Sequence, residues 1–345
     1  MSHRRIGASI ILVVAIAQLC PPAVVGQGVE ELAQILAAED SRQWDAGLFE
    51  TSLKNPEPLV RRTAAMAIGR VGDWRGTEML FPVLLDPDTS VQTTAMFALG
   101  LLEDTLAVGP IIERLRAVPA ISQDPAVEGV AALAKIGGPE AAAFIASLLG
   151  GASLAALENQ DPLVGQALID AWRLRDEAPV NALLGYVDHE MEDWRWRAVV
   201  SLSRLRAPAA GQIFLRALAD KSPTVRAAVA ARLTKRYAAS SGLDAETCMD
   251  LLANAVNDPN ARVRISALRA LATFGHPETG PAISLALDDP LFNVRVQAAQ
   301  ALGRAGGPLA ITELTRVFMD QNFFALQREA LLGLSRSDST AFTAA

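Results

Sequence analysis

The residues able to do chemistry are few, and their spacing suits it poorly. Of the three histidines, His3 lies at the extreme N-terminus. That leaves His189-Glu190 and His276-Pro277-Glu278 as the places where an imidazole and a carboxylate are close in sequence. A bound zinc-type ion needs three or four ligands drawn together, and proline interrupts the second pair, so no metal is expected. The run His189-Glu190-Met191-Glu192-Asp193 reads as a solvated turn whose carboxylates favour the N-terminus of the helix that follows. As a cation loop it lacks a recognisable ligand spacing. Cys248 falls on an apolar helical stretch and reads as a small buried hydrophobe. No Gly-x-Ser-x-Gly, phosphate-binding loop or dinucleotide fingerprint is present, and Gly137-Gly138 and Gly306-Gly307 read as helix ends. Neither a catalytic residue nor a cofactor is expected, and the chain reads as non-enzymatic.

What the sequence does carry is arginine at a recurring place. Arg61, Arg62, Arg195, Arg197, Arg226, Arg264 and Arg295 all follow closely on the residue that opens an apolar helical run. A stripe of guanidiniums can grip an acidic partner. In Trp194-Arg195-Trp196-Arg197 the two tryptophans, two residues apart, cannot share a helix face, so one is expected in the core and the other exposed. Trp and Arg are favoured interface anchors, and Arg stacks on Trp. The candidate partner-binding residues are therefore Trp194, Arg195, Trp196, Arg197, Arg226, Arg264 and Arg295. Trp44 and Trp74 are expected to be packing residues at the start of the fold.

The elements that position these side chains are helices. The chain has 345 residues, 51% hydrophobic but only 5% aromatic, so its apolar content is largely Ala, Leu and Val, which suits helix-on-helix packing. The formal net charge of −7 argues against nucleic acid as a partner. Residues 1–27 read as an export signal: His3, Arg4 and Arg5 give a basic start, Ile6 to Leu19 is uncharged and mostly apolar, and Pro21-Pro22 and small residues follow. The run is short for a bilayer span. Cleavage after Ala17 or after Gly26 is equally compatible. Gly7 and Ala8 argue against a twin-arginine signal, and Gln18 and Leu19 against a lipidated Cys20. The mature chain is expected outside the cytoplasm, in the periplasm, with no membrane span, and where the signal takes Cys20 with it Cys248 is its one cysteine, which excludes a disulfide within it.

Beyond the signal an internal repeat governs the sequence. Asn55-Pro56, Val60-Arg61 and Ile68-Gly69 are followed by Asp86-Pro87, Val91-Gln92 and Leu99-Gly100, and later by Asp258-Pro259, Val263-Arg264, Leu271 and by Asp289-Pro290, Val294-Arg295, Leu302-Gly303. The apolar residues opening each second helix are Val60, Val91, Pro125, Val164, Trp194, Val225, Val263, Val294 and Phe324. Eight positions on stand Ile68, Leu99, Leu133, Trp172, Leu202, Leu233, Leu271, Leu302 and Leu332. Spacings run from 30 to 39 residues. In each unit a first helix such as Thr77–Leu85 is expected to break at Asp-Pro. Thr89 or Ser90 would then supply a capping oxygen, and glycine would close the second helix in a left-handed conformation. Two such helices cannot bury their apolar faces alone, but stacked neighbours can. No alternating strand pattern competes.

These motifs resemble HEAT-like repeats, in the short bacterial form also labelled with the phycobilisome-lyase repeats, over residues 39–335. The resemblance implies an all-α, right-handed α-α superhelix of about nine helical pairs spanning residues 28–335. A short helix near Val29–Ala38 is expected to precede it and a disordered tail at 336–345 to follow. It also implies that the second helices line one face, and that the recurring Arg pairs with the turn Asp of a neighbouring unit, with Asp86, Asp220, Asp258 and Asp289 as acceptors. This internal ladder is preferred to the partner-gripping stripe. Residues 38–73 are similar to the start of exported arrays that precede a cyclophilin-type peptidyl-prolyl isomerase domain, whose Phe-His-Arg and Gly-Ser-Gln-Phe-Phe motifs are missing here. The His-Glu pairs faintly resemble those of HEAT-type deoxyhypusine hydroxylases, but the further pairs that hold iron are lacking.

The expected function is protein binding or scaffolding in the cell envelope, the partner unidentified. The alternatives are a substrate-presenting array for such an isomerase, or a HEAT-type lyase, which export and the lack of supporting motifs disfavour. No capping helix is evident after Leu334, so self-association through that end is a further expectation.

Overall fold

The computed structural model describes residues 22–117, 121–151, 161–320 and 324–337. Among the described residues there is helix and turn and no strand. Residues 1–21 of the expected export signal lie outside them, as does the tail beyond Ser337, while residues 22–27 of that expected signal fall in a helix. The chain divides into two units, Met1–Ala182 and Leu183–Ala345.

In the first unit α1 is Pro22–Ser41 and α2 Ala46–Ser52; α1 is longer at both ends than the helix expected at 29–38. Then follow α3 (Pro58–Val71), α4 (Gly76–Leu80), α5 (Thr89–Leu102), α6 (Val108–Arg116), α7 (Gln123–Ile136), α8 (Pro139–Leu149) and α9 (Asp161–Asp170). A short helix, α10 (Val180–Gly185), spans the division. The second unit holds α11 (Glu192–Leu205), α12 (Gly211–Ala217), α13 (Pro223–Arg232), α14 (Lys235–Ser240) and α15 (Ala245–Ala255). It continues with α16 (Ala261–Phe274), α17 (Gly280–Leu285), α18 (Phe292–Ala305), α19 (Gly307–Met319) and α20 (Phe324–Ser337).

Within each unit the longer second helices form one layer. In the first, α3 packs on α5 and α5 on α7; in the second, α11 packs on α13, α13 on α16, α16 on α18 and α18 on α20. The reason lies in their inner faces. Ala64, Ala67 and Ile68 of α3, and Ala298, Ala301 and Leu302 of α18, are almost wholly buried, and small side chains let backbones approach. At the tightest places even alanine is too large. A methyl group on Gly69 would lie 2.7 Å from Cα of Ala98, and one on Gly303 would run into Gly333.

These contacts revise part of the repeat. The glycines of the Ile-Gly and Leu-Gly pairs sit inside their helices as contact points rather than closing them. The left-handed closure comes three residues later, at Gly72 (φ 76°) and, without glycine, at Glu103 (φ 52°). The cap of α5 is Asp88, whose carboxylate accepts the N–H groups of Ser90 and Val91, rather than Thr89 or Ser90. The first helix expected at Thr77–Leu85 is split by Pro82 into α4 and a 3-10 turn, Pro82–Leu85. Trp172 falls in the 3-10 segment Ala171–Glu177, beyond the end of α9. In the last unit the expected anchors Phe324 and Leu332 are 82% and 41% exposed, whereas Leu326 and Leu334 are buried. The register there is shifted by two residues. The Gly303–Gly333 contact fits that shift, because it puts Gly333 one residue before its anchor, where Ala98 stands before Leu99.

Candidate binding surface

At the turns Arg61, Arg195, Arg226 and Arg264 are each held by their own chain. Arg61 Nε and Nη2 donate to the two carboxylate oxygens of Asp86 at 2.6 and 2.8 Å, while Nη1 donates to the carbonyls of Asn55 and Pro56. In the second unit the same fork recurs three times. Arg195 reaches Asp220 at 2.8 and 2.9 Å, Arg226 reaches Asp258 at 2.7 and 2.9 Å, and Arg264 reaches Asp289 at 2.7 and 3.0 Å. The aspartate links in both directions. Its carboxylate takes the preceding Arg, and its backbone carbonyl accepts Nη1 of the next, as Asp220 does from Arg226, Asp258 from Arg264 and Asp289 from Arg295. Each carboxylate also accepts the amide two residues on, from Asp88, Ser222, Asn260 or Leu291. In the second unit the rungs thus join into one continuous ladder from Arg195 to Arg295.

Where the arginine is missing, so is its acceptor. Gln92 keeps the link to the carbonyl of Asp86, but the residue 25 positions on, where Arg61, Arg195 and Arg264 find aspartate, is Ala117. Electrostatics agree with the geometry. The hydrogen bonds that Arg61 and Arg226 donate to Asp86 and Asp258 respectively raise the pKa of each arginine. Burial works to raise the carboxyl of Asp258, but the bonds from Arg226 and from the Asn260 amide outweigh it and hold the group below its ordinary value.

The candidate partner-binding residues therefore separate. Arg195, Arg226 and Arg264 have Nε, Nη1 and Nη2 engaged within the chain, so they hold the turns. Arg295 donates Nη1 to Asp289 and Pro290 and lies over the Phe292 ring. Trp194 and Trp196 are both half-buried, not one in and one out. Trp194 stacks on His189 with ring centroids 4.6 Å apart and meets Tyr186 edge-on at 5.5 Å. Arg197 pairs with Asp193 one helical turn away at 2.6 Å and is half-buried. Trp44 packs on Phe49 and beneath Arg75, whereas Trp74, expected to pack, is 72% exposed.

The two described histidines serve the turns. His189 Nδ1 accepts the amide of Met191, and His276 Nδ1 that of Glu278. No group of three or more potential metal ligands occurs among the described residues. Cys248 is wholly buried, and burial pushes its thiol up, away from reactivity. No described helix is long and apolar enough to cross a membrane.

Sequence reasoning missed where the exposed apolar side chains lie. Leu85 in the first unit, and Met191, Leu285 and Leu291 in the second, stand out at the turns. In the second unit a groove between successive turns is lined by Val256, Pro259, Leu285 and Pro290, with the ladder residues Asp258, Arg264 and Asp289 in its wall. The turn dipeptides could have flagged it, since Pro follows Asp86, Asp258 and Asp289.

A family model of HEAT repeats matches residues 46–128 and 249–335. No curated protein matches the chain. Among solved structures, it is similar to an engineered protein at 17% identity, covering 94% of this chain and 98% of that one with a TM-score of 0.48. It is also similar to YibA of Escherichia coli, at 13% identity, 88% and 97% coverage and a TM-score of 0.48. A third is the complex of CpcE and CpcF of phycocyanin lyase from Nostoc sp. PCC7120, at 17% identity, 69% and 92% coverage and a TM-score of 0.40. With second helices in register and turns tied by a repeating Arg–Asp fork, the chain is a HEAT-like helical repeat protein.

Proposed function

We propose that this chain is an exported, non-catalytic scaffold that binds a protein partner. The observation that carries the reading is the division of labour on α11. Arg195 is buried and committed to the ladder, while Met191, Trp196 and Arg197 around it stay at or near the surface. A tryptophan and an arginine on a rigid helix, with an exposed methionine at its start, make a low-entropy contact patch of the kind that anchors interfaces. Nothing in that patch is arranged as an acid–base pair or a nucleophile.

The test is capture from cell-envelope extract with the mature chain as bait, repeated with Trp196→Ala, Arg197→Ala and, as a distant control, Arg62→Ala. A partner retained by the wild type and the control but lost by the first two supports the patch. Undiminished recovery in both variants would remove it. A peptidyl-prolyl isomerase assay on a proline tetrapeptide is expected to show no acceleration, and any saturable acceleration would overturn the non-catalytic reading. Export is checked by fusing residues 1–27 to a reporter active only outside the cytoplasm; a silent fusion would count against it.

A further inference from the structure

The contact points between second helices are glycine or alanine at α3, α5 and α18, but not at α11. There the position after the Leu202 anchor is Ser203, and the residue that the register sets against it on α13 is Arg232, where Gly69 meets Ala98 and Gly303 meets Gly333. A charged side chain stands where Ala98 and Gly333 stand in the other pairs, and a serine where they have glycine.

The consequence is a set of polar groups with nothing to bind. Ser203 Oγ, Arg232 Nε and Ser241 Oγ are all buried without a hydrogen-bond partner. Their elements converge on one turn. Tyr237 Oη donates to the carbonyl of Ala207 at 2.9 Å, fixing α14 to the loop after α11. A methyl group on Gly211, at the other end of that loop, would lie 3.2 Å from Cβ of Ser241. Arg206 closes α11 in the left-handed region at φ 54° and is exposed beside the same loop. Burial, followed by the nearby charge of Arg206, lowers the pKa of Arg232. Neither arginine forms an ion pair among the described residues, in a chain that pairs its other buried arginines carefully.

Buried donors without acceptors, one of them on the Arg232 guanidinium that has no carboxylate beside it, are costly to leave uncompensated. We infer that Arg206, Arg232, Ser203 and Ser241 form a binding site for a tetrahedral oxyanion, a phosphate or sulfate group, free or carried as an ester. Such a group offers several acceptor oxygens at once, which two guanidiniums and two hydroxyls approaching from different elements can share. A carboxylate has only two oxygens to offer. The site opens to solvent on the Arg206 side, so a larger molecule can present its phosphate there. This reading is independent of the protein-binding patch on the first turns of α11.

Calorimetric titration of the full chain tests it, with inorganic phosphate, phenyl phosphate and, at matched ionic strength, sodium chloride. Saturable heat from either phosphate, absent with chloride, is expected. The tighter of the two phosphates tells a free anion from an esterified one. Arg206→Gly removes one guanidinium at a backbone conformation that glycine adopts without strain, and Ser241→Ala removes only a hydroxyl beside Tyr237, so both variants should fold. Arg206→Gly is expected to weaken binding roughly tenfold or more, and Arg62→Gln not at all. No saturable heat with either phosphate, an equal response to chloride, or unchanged affinity in Arg206→Gly would overturn the site.

Discussion

An arginine whose every bonding nitrogen already has an acceptor can still be wanted by a partner, but taking it would mean dismantling a turn. This decides the role of Arg226. Its side chain and that of Asp258 are 14% and 10% exposed, and removing one partner alone leaves the other charged and buried. Arg226→Met is expected to cost about 3 kcal/mol in urea unfolding, and Arg226→Met/Asp258→Leu to recover most of it. A single variant that loses under about 1 kcal/mol would mean the fork is ornamental. Because the Asp258 carboxyl is held below its ordinary value, its contribution is complete above the unfolded-state pKa near 4. It is lost as pH falls through the lower folded value. The double variant should lack that share of the acid sensitivity. The fork was legible in sequence because Arg264 and Asp289 both belong to a repeated motif 25 residues apart. The half-burial of Trp194 was not, since it arises from ring contacts with His189 and Tyr186, which lie outside the motif.

At the scale of the helix, glycine has two uses here, and the sequence alone confuses them. Gly69 is helical and packed against Ala98; Gly72 is left-handed and faces open space. Substitution distinguishes them. Gly69→Val puts branched carbons into backbone contact and is expected to lower stability by about 2 kcal/mol or more, by overpacking. Glu103, by contrast, occupies the left-handed closing position of α5 with a side chain that disfavours it. Glu103→Gly is therefore expected to stabilise the chain by about 1 kcal/mol, read as a raised melting temperature. A fall instead would show that the Glu103 side chain makes a contribution larger than its backbone strain. The same ambiguity explains the slip in the last unit. Phe324 and Leu332 are as apolar as Leu326 and Leu334, and only the helix-to-helix contact at Gly303 selects the second pair.

For the molecule as a whole, periodicity made the all-helical array readable, while the division at residue 182 was not. A division is a matter of which contacts are sparse, and no residue type announces that. Its physical content can be tested. A repeat array is stabilised by nearest neighbours, so a stretch with enough stacked units should fold without the rest. The second unit has its own layer from α11 to α20 and its own continuous ladder from Arg195 to Arg295. A fragment of residues 180–345 is expected to be helical by circular dichroism and to melt cooperatively. The Arg226→Met/Asp258→Leu pair should change its stability by the same amount as in the full chain, because every partner of those residues lies within it. A fragment that is unfolded, or in which that change differs by more than about 0.5 kcal/mol, would mean that the ladder depends on contacts far from its own rungs.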